Sequence, residues 1–308
     1  MKKLSTIRRG FALLVIVIGT FYLTDLPFFK NDFFSFFPHL QLVPAILSGA
    51  LITLLALVVL TVLFGRIYCS VICPLGILQD IVLFFNKIRI RKNKTLRKKR
   101  RAYQYETPSN KLRYGILLLA VVSVVFGSTI LLIALDPYSI YTRFSRSILH
   151  PAGIAINNGL AHLFNAFDNY TFANENYSMP EWIAFLASAA TIILIVILSL
   201  KKDRYWCNAI CPVGTLLGLV ARFSIFRVKI DRQQCISCKK CAQECKSHAI
   251  DIENYRIDYS RCVTCFNCID SCDKQAAIKF APSVLHHRSA EAKQTTTMPQ
   301  ANNHKSNV

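Results

Sequence analysis

Apolar positions run almost unbroken through 10–24, 44–64, 114–135 and 182–200, and charge is confined to the stretches between them. A helix that crosses a bilayer needs about 20 such residues, so the pattern predicts spans over 9–26, 44–64, 114–135 and 182–200. The first run is short and follows Lys2, Lys3, Arg8 and Arg9, which are also the ingredients of a signal peptide. No small-x-small cleavage site follows it, so a retained helix is the preferred reading. Basic residues collect at the start, in 87–113 (twelve Lys or Arg against one Glu) and at Lys201-Lys202, whereas 136–181 carries two arginines. By the positive-inside rule this is a multi-pass protein of the bacterial cytoplasmic (inner) membrane with both termini in the cytoplasm. The segments 25–42, rich in Phe like an interfacial belt, and 136–181, read as a loop, then lie outside.

Composition agrees with that segregation: 53% of residues are apolar, yet the net charge is +20. The basic run 89–101 is read as the topology determinant rather than a nucleic-acid site, with docking of an acidic electron carrier as the alternative. Residues 282–308 are polar and aperiodic, the composition of a disordered tail.

The polar C-terminal third carries the chemistry. C-I-S-C-K-K-C-A-Q-E-C begins at Cys235, and C-V-T-C-F-N-C-I-D-S-C begins at Cys262. Each block is C-x2-C-x2-C-x3-C, the spacing that holds two 4Fe-4S cubes in bacterial two-cluster ferredoxins, where the fourth Cys of each run serves the other cube. The expected ligand sets are therefore Cys235, Cys238, Cys241 and Cys272, and Cys262, Cys265, Cys268 and Cys245. Structural zinc usually pairs two C-x2-C knuckles across a longer loop, which fits two four-Cys runs badly. The proline that normally follows the fourth Cys is replaced by Lys246 and Asp273. We expect a small α+β two-cluster domain over 227–281, behind a membrane domain over 1–226.

The membrane part is itself duplicated. G-R-I-Y-C-S-V-I-C-P-L-G-I-L from Gly65 and D-R-Y-W-C-N-A-I-C-P-V-G-T-L from Asp203 align at an offset of 138 residues, pairing Arg66 with Arg204 and Gly76 with Gly214. Proline directly after Cys suits the first turn of a helix, which places Cys73 and Cys211 at N-termini where the macrodipole favours thiolate. The apolar segments that follow, 75–85 and 213–226, are expected as amphipathic helices along the inner surface. Cys69, Cys73, Cys207 and Cys211 are candidates for a further thiolate-bound metal or cluster, for a thiol–disulfide relay, or for a purely structural role.

Two C-x3-C-P motifs at the inner ends of spans two and four, followed by a two-cluster ferredoxin domain, resemble the NapH/NosR-type membrane polyferredoxins over roughly residues 1–280. A branch related to that family is the cytochrome oxidase accessory ferredoxins. The resemblance implies electron transfer from the quinone pool or a soluble carrier towards partner membrane or periplasmic redox subunits. The chain is thus at most an electron-transfer subunit of a quinol dehydrogenase-type oxidoreductase. The alternatives are a copper-reducing and copper-delivering maturation factor, suggested by the soft four-thiolate patch, and a redox sensor or anchor. No haem is expected, because the chain has no C-x-x-C-H and no histidine in the four spans.

Overall fold

The computed structural model describes residues 3–24, 38–92, 105, 109–165, 182–274 and 277–283. The Phe-rich segment up to residue 37, the basic run beyond Lys92 and the tail from residue 284 lie outside the described residues. Helix α1 spans Lys3–Leu23, α2 Leu42–Leu47, α3 Leu51–Phe64, α4 Tyr68–Val71 and α5 Pro74–Lys92. Then follow α6 (Asn110–Val125), α7 (Ile130–Leu135), α8 (Pro137–Phe144), α9 (His150–Asn165), α10 (Trp182–Lys202) and α11 (Pro212–Ala221). Wide single turns, Ser145–Leu149 and Trp206–Ile210, precede α9 and α11.

Two expected spans are not single helices. The run 44–64 breaks between α2 and α3 at Gly49, and 114–135 breaks between α6 and α7 at Gly127, both left-handed (φ +69° and +78°). Only a residue without Cβ takes that conformation freely, so each glycine ends one helix and lets another start. The stretch 136–165 is also not a loop. Asp136 caps α8 by accepting a 2.8 Å hydrogen bond from Ser139 N, with Pro137 at the first helical position.

Among the described residues, two helices are long and apolar enough to cross a membrane, Leu4–Leu23 and Trp182–Lys202. Helices α1, α3, α6 and α10 turn large apolar side chains outward, among them Phe11, Ile52, Val125 and Ile183. So continuous a greasy surface suits lipid rather than water, and the chain is read as a membrane protein. The helices after the C-x3-C-P motifs do not lie on a surface as expected. Helix α11 packs against α3 and α6, burying Pro212, Val213, Gly214, Leu217, Gly218 and Ala221, and α5 packs against α10 and α8. Small residues four apart, Gly214 and Gly218, let α11 approach its neighbours closely.

In the C-terminal part, β1 (Phe226–Ile230) pairs antiparallel with β4 (Ile278–Pro282), from Phe226↔Pro282 to Ile230↔Ile278. The short β2 (Ile250–Asp251) pairs with β3 (Arg256–Ile257), and α12 (Lys240–Gln243) packs on α13 (Asn267–Ser271). Val228, Ile230, Ile250, Ile257, Ile269 and Ile278 form the core of this part. It is knitted to the helices rather than hung from them. Ile225 N donates to Val62 O at 2.8 Å, Thr264 Oγ1 to Phe64 O at 3.0 Å, and Lys87 Nζ to Glu244 at 2.6 Å, while Phe64 stacks on Phe226.

Candidate iron–sulfur and thiol sites

The two cysteine runs fold into twin cradles. One cavity is lined by Cys235, Cys238, Cys241 and Cys272, with Ile236, Ile252 and Ala277 among its other walls. The second is lined by Cys245, Cys262, Cys265 and Cys268, with Val228, Ile250, Ile257 and Val263. Each fourth cysteine thus leaves its own run and faces the other cavity. The backbone repeats at an offset of 27 residues. Ser237 and Lys239 (φ +53° and +59°) correspond to Thr264 and Phe266 (φ +49° and +60°). None of these is glycine, so each left-handed residue carries strain held by its surroundings. Left-handed residues so placed are the material of backbone nests, whose N–H groups surround anionic and Fe–S centres.

That cradle fits a negatively charged cube. Burial pushes the Cys241 and Cys245 thiols up to about 11 and Cys262 up to about 12. Left alone they are neutral thiols; iron supplies the positive charge that holds thiolates in such a place. Among the described residues, no three Cys, His, Asp or Glu side chains converge on a single ion. The thiols line cavities instead, as ligands to the corners of a cube must. The two cradles differ in exposure: Cys238 is exposed and Ile236 stands 57% exposed beside it, whereas Cys268 is buried.

The C-x3-C-P cysteines meet in the helical part. Cys69, Cys73, Cys207 and Cys211 are each only 2–3% exposed, and Cys73 has the other three thiols as electrostatic neighbours. Cys211 caps α11, its sulfur accepting from Gly214 N at 3.3 Å. The two halves clasp each other reciprocally. Arg66 donates to Cys207 O at 3.0 Å, and Arg204 donates to Cys69 O at 3.1 Å. Gly76 and Gly214 lie so close to those same two carbonyls that an added Cβ would stand 2.2 Å from each.

The arginines also join the thiols to the second cradle. Arg66, fully buried, reaches Ser260 O at 2.9 Å, Asn208 Oδ1 at 3.0 Å and Cys69 Sγ at 3.9 Å. Arg113 donates to Ser260 Oγ and O at 2.9 and 2.8 Å. Arg204 pairs with Asp80 at 2.8 Å, and Lys246, next to Cys245, pairs with the same carboxylate at 3.2 Å. Among the described residues neither Arg66 nor Arg113 forms an ion pair with a carboxylate. Three buried nitrogens beside the thiols lack acceptors: Arg66 Nε, Gln79 Nε2 and Trp206 Nε1. Gln79 Oε1 accepts from Cys207 Sγ at 3.0 Å; turning the amide over would aim Nε2–H at a thiolate instead. Uncompensated buried cations and idle donors call for negative charge, which thiolates in this tetrad would supply.

Arg66 and Arg204 fall inside the 138-residue repeat, so their pairing was open to sequence reasoning although their contacts were not. Arg113 gave no such signal, since it ends a run of twelve basic residues and resembles the rest. Replacing Arg66 by Met takes this donor from Cys207 O and Asn208 Oδ1 and leaves Ser260 O with Arg113 alone, and each buried acceptor left unsatisfied costs about 1–3 kcal/mol. The expected result is a clearly lowered melting temperature, while Arg66→Lys recovers part of the loss. A Met variant that melts with the wild type would refute the network.

A family model described as a 4Fe-4S binding domain matches residues 48–93 and 183–233, the two C-x3-C-P halves, and stops short of Cys235. The chain is 25% identical over 252 residues to an uncharacterized protein of Methanocaldococcus jannaschii, covering 80% of this chain and 75% of that one. It is 26% identical over 204 residues to the methylamine utilization ferredoxin-type protein MauN of Paracoccus denitrificans, covering 66% and 54%. To the ferredoxin-type protein NapH of Haemophilus influenzae it is 24% identical over 188 residues, covering 60% and 48%. The chain therefore spans about half the length of the MauN and NapH relatives. No solved structure matches it. By these likenesses the chain is an iron–sulfur protein of ferredoxin type, similar at low identity to the NapH-type polyferredoxins.

Proposed function

We propose that this protein carries electrons one at a time between a donor at the membrane and a partner redox subunit, through two 4Fe-4S cubes. Cys235, Cys238, Cys241 and Cys272 hold one cube; Cys245, Cys262, Cys265 and Cys268 hold the other. The observation that carries this reading is the crossed lining of the twin cavities. When bound, each cube supplies a one-electron couple whose potential answers to burial, nearby charge and hydrogen bonds to sulfur.

The chain's own residues supply a direction in space. The exposed cradle beside Cys238 faces a soluble or subunit partner. The buried cradle backs onto Arg66, Arg113 and Ser260, and behind these lie Cys69, Cys73, Cys207 and Cys211, which we read as a third, thiolate-held centre. Quinol or a reduced carrier is the donor in this reading, and four membrane crossings with the ferredoxin part in the cytoplasm are its topology. A copper-delivery role suits the tetrad less well, because thiols 2–3% exposed offer a chaperone no approach.

Purification without oxygen, followed by addition of a quinol analogue, tests the route. The broad visible absorbance of the clusters is expected to bleach, and an iron count near twelve rather than near eight marks the third centre as a cluster. Intact clusters that quinol leaves unbleached would exclude quinol as donor, and a count near eight would remove the third cluster.

A further inference from the structure

Apart from the cysteine sites, an open cavity of about 330 Å³ lies on the ferredoxin part between β1 and β3. Its walls are Arg227 and Lys229 from β1, Arg256 and Ile257 from β3, and Tyr255 and Tyr259 at either end of β3. Arg227 and Lys229 are two apart on one strand and so share a face, the face away from buried Val228. No carboxylate lines the cavity.

The cations here are arranged rather than scattered. The Arg227 guanidinium lies over the Tyr259 ring at 4.7 Å, and its Nε is buried without a partner. A guanidinium held over a ring keeps N–H donors for a second partner, and its fork suits a phosphate. The Tyr259 hydroxyl is already spent on Val228 O at 3.1 Å, and Tyr255 is anchored to Ser237 at 2.8 Å. Lys229 gives its ammonium to Pro282 O and Ser283 O, so it contributes field rather than a free donor. Burial and Arg227 together hold that ammonium below its ordinary range, as expected of like charges crowded with no anion between them.

The acids nearby are engaged. Asp251 sits opposite Arg256 and is bound to Asn254 at 2.7 Å; Glu253 faces Lys239; Asp258 is taken by Ser260 and Arg261. Asp231 accepts from Gln233 N. Of these only Asp251 offsets a lining cation.

We propose that this cavity binds a phosphate group, borne by an anionic phospholipid headgroup or by a free phosphate ester. The position favours the first source: β1 starts at Phe226, stacked on Phe64 at the foot of α3, and Phe223 and Ile225 just before it are exposed apolar residues. Arg227 thus follows directly on that apolar surface, with the exposed Arg222 just before it, where lipid headgroups would meet cations. This inference does not depend on the electron route.

The test uses the full chain in neutral detergent, with visible cluster absorbance as the check that each variant is folded. Short-chain phosphatidylglycerol is compared with short-chain phosphatidylcholine, and inorganic phosphate with chloride at equal ionic strength. A rise in melting temperature of about 2–4 °C is expected with phosphatidylglycerol. Arg227→Gln and Arg256→Gln should each weaken the midpoint concentration by about tenfold or more, while Lys201→Gln on α10 leaves it unchanged. A response to phosphatidylglycerol alone assigns a lipid site; a response to inorganic phosphate as well assigns a free phosphate ester. No response to either, or the same loss in Lys201→Gln, would overturn the proposal.

Discussion

Gly214→Ala is expected to abolish most folded protein, and Gly76→Ala to do nearly the same. The Cβ added by Gly214→Ala would stand 2.2 Å from Cys207 O and 2.8 Å from an Arg66 nitrogen; the one added by Gly76→Ala would stand 2.2 Å from Cys69 O. A real Cβ needs more than 3 Å. Both near carbonyls are backbone, so no side chain can swing aside, and each carbonyl is already fixed by an arginine from the opposite half. Overpacking in a core usually costs about 1–3 kcal/mol and more where nothing can yield, against a total stability of about 5–15 kcal/mol. Gly115→Ala and Gly159→Ala are the controls. Both glycines lie within helices with nothing within 4 Å of the added atom, so alanine should be neutral or stabilise by about 1 kcal/mol. Yield of extracted, cluster-bearing protein and its melting temperature decide the matter; parity of Gly214→Ala with the controls would mean that the halves do not clasp as described.

The crossed ligand sets make the second large prediction. Cys262→Ser should remove about four iron atoms, one cube. Adding Cys245→Ser to it should remove no more, because both thiols line the same cavity. Adding Cys272→Ser instead should remove about four more, because Cys272 lines the other. Were each run to hold its own cube, the two double variants would exchange results. Metal and folding are coupled, so losing the cube of the second cavity, whose cysteine run is bonded to the helical part through Ser260 and Thr264, should lower the melting temperature more than losing the exposed one.

Much of this arrangement was legible beforehand, for identifiable reasons. The spacing of eight cysteines is a local property, and the structure gathers them into two groups of four. Pro74 and Pro212 start helices because proline at a first turn is a local preference. The 138-residue repeat by itself pairs Arg66 with Arg204. What failed was inference from hydrophobicity alone. Runs 44–64 and 114–135 look like unbroken spans, since Gly49 and Gly127 weigh little in an average, yet a left-handed residue at each ends the helix. Likewise 213–226 looks like a surface helix, whereas Gly214 and Gly218 let it sink between α3 and α6.

The sequence by itself determined the chemistry: two four-cysteine runs, two C-x3-C-P motifs, and segregation of charge from apolar surface, all set by residue type and short-range spacing. Only the tertiary structure decided what lies against what. That Arg66 grips the carbonyl of Cys207 rather than its own half, or that Arg113 leaves the basic run to bind Ser260, depends on contacts between residues 141 and 147 positions apart. Such contacts arise from how helices pack, and the spacing of neighbours along a chain carries no record of them.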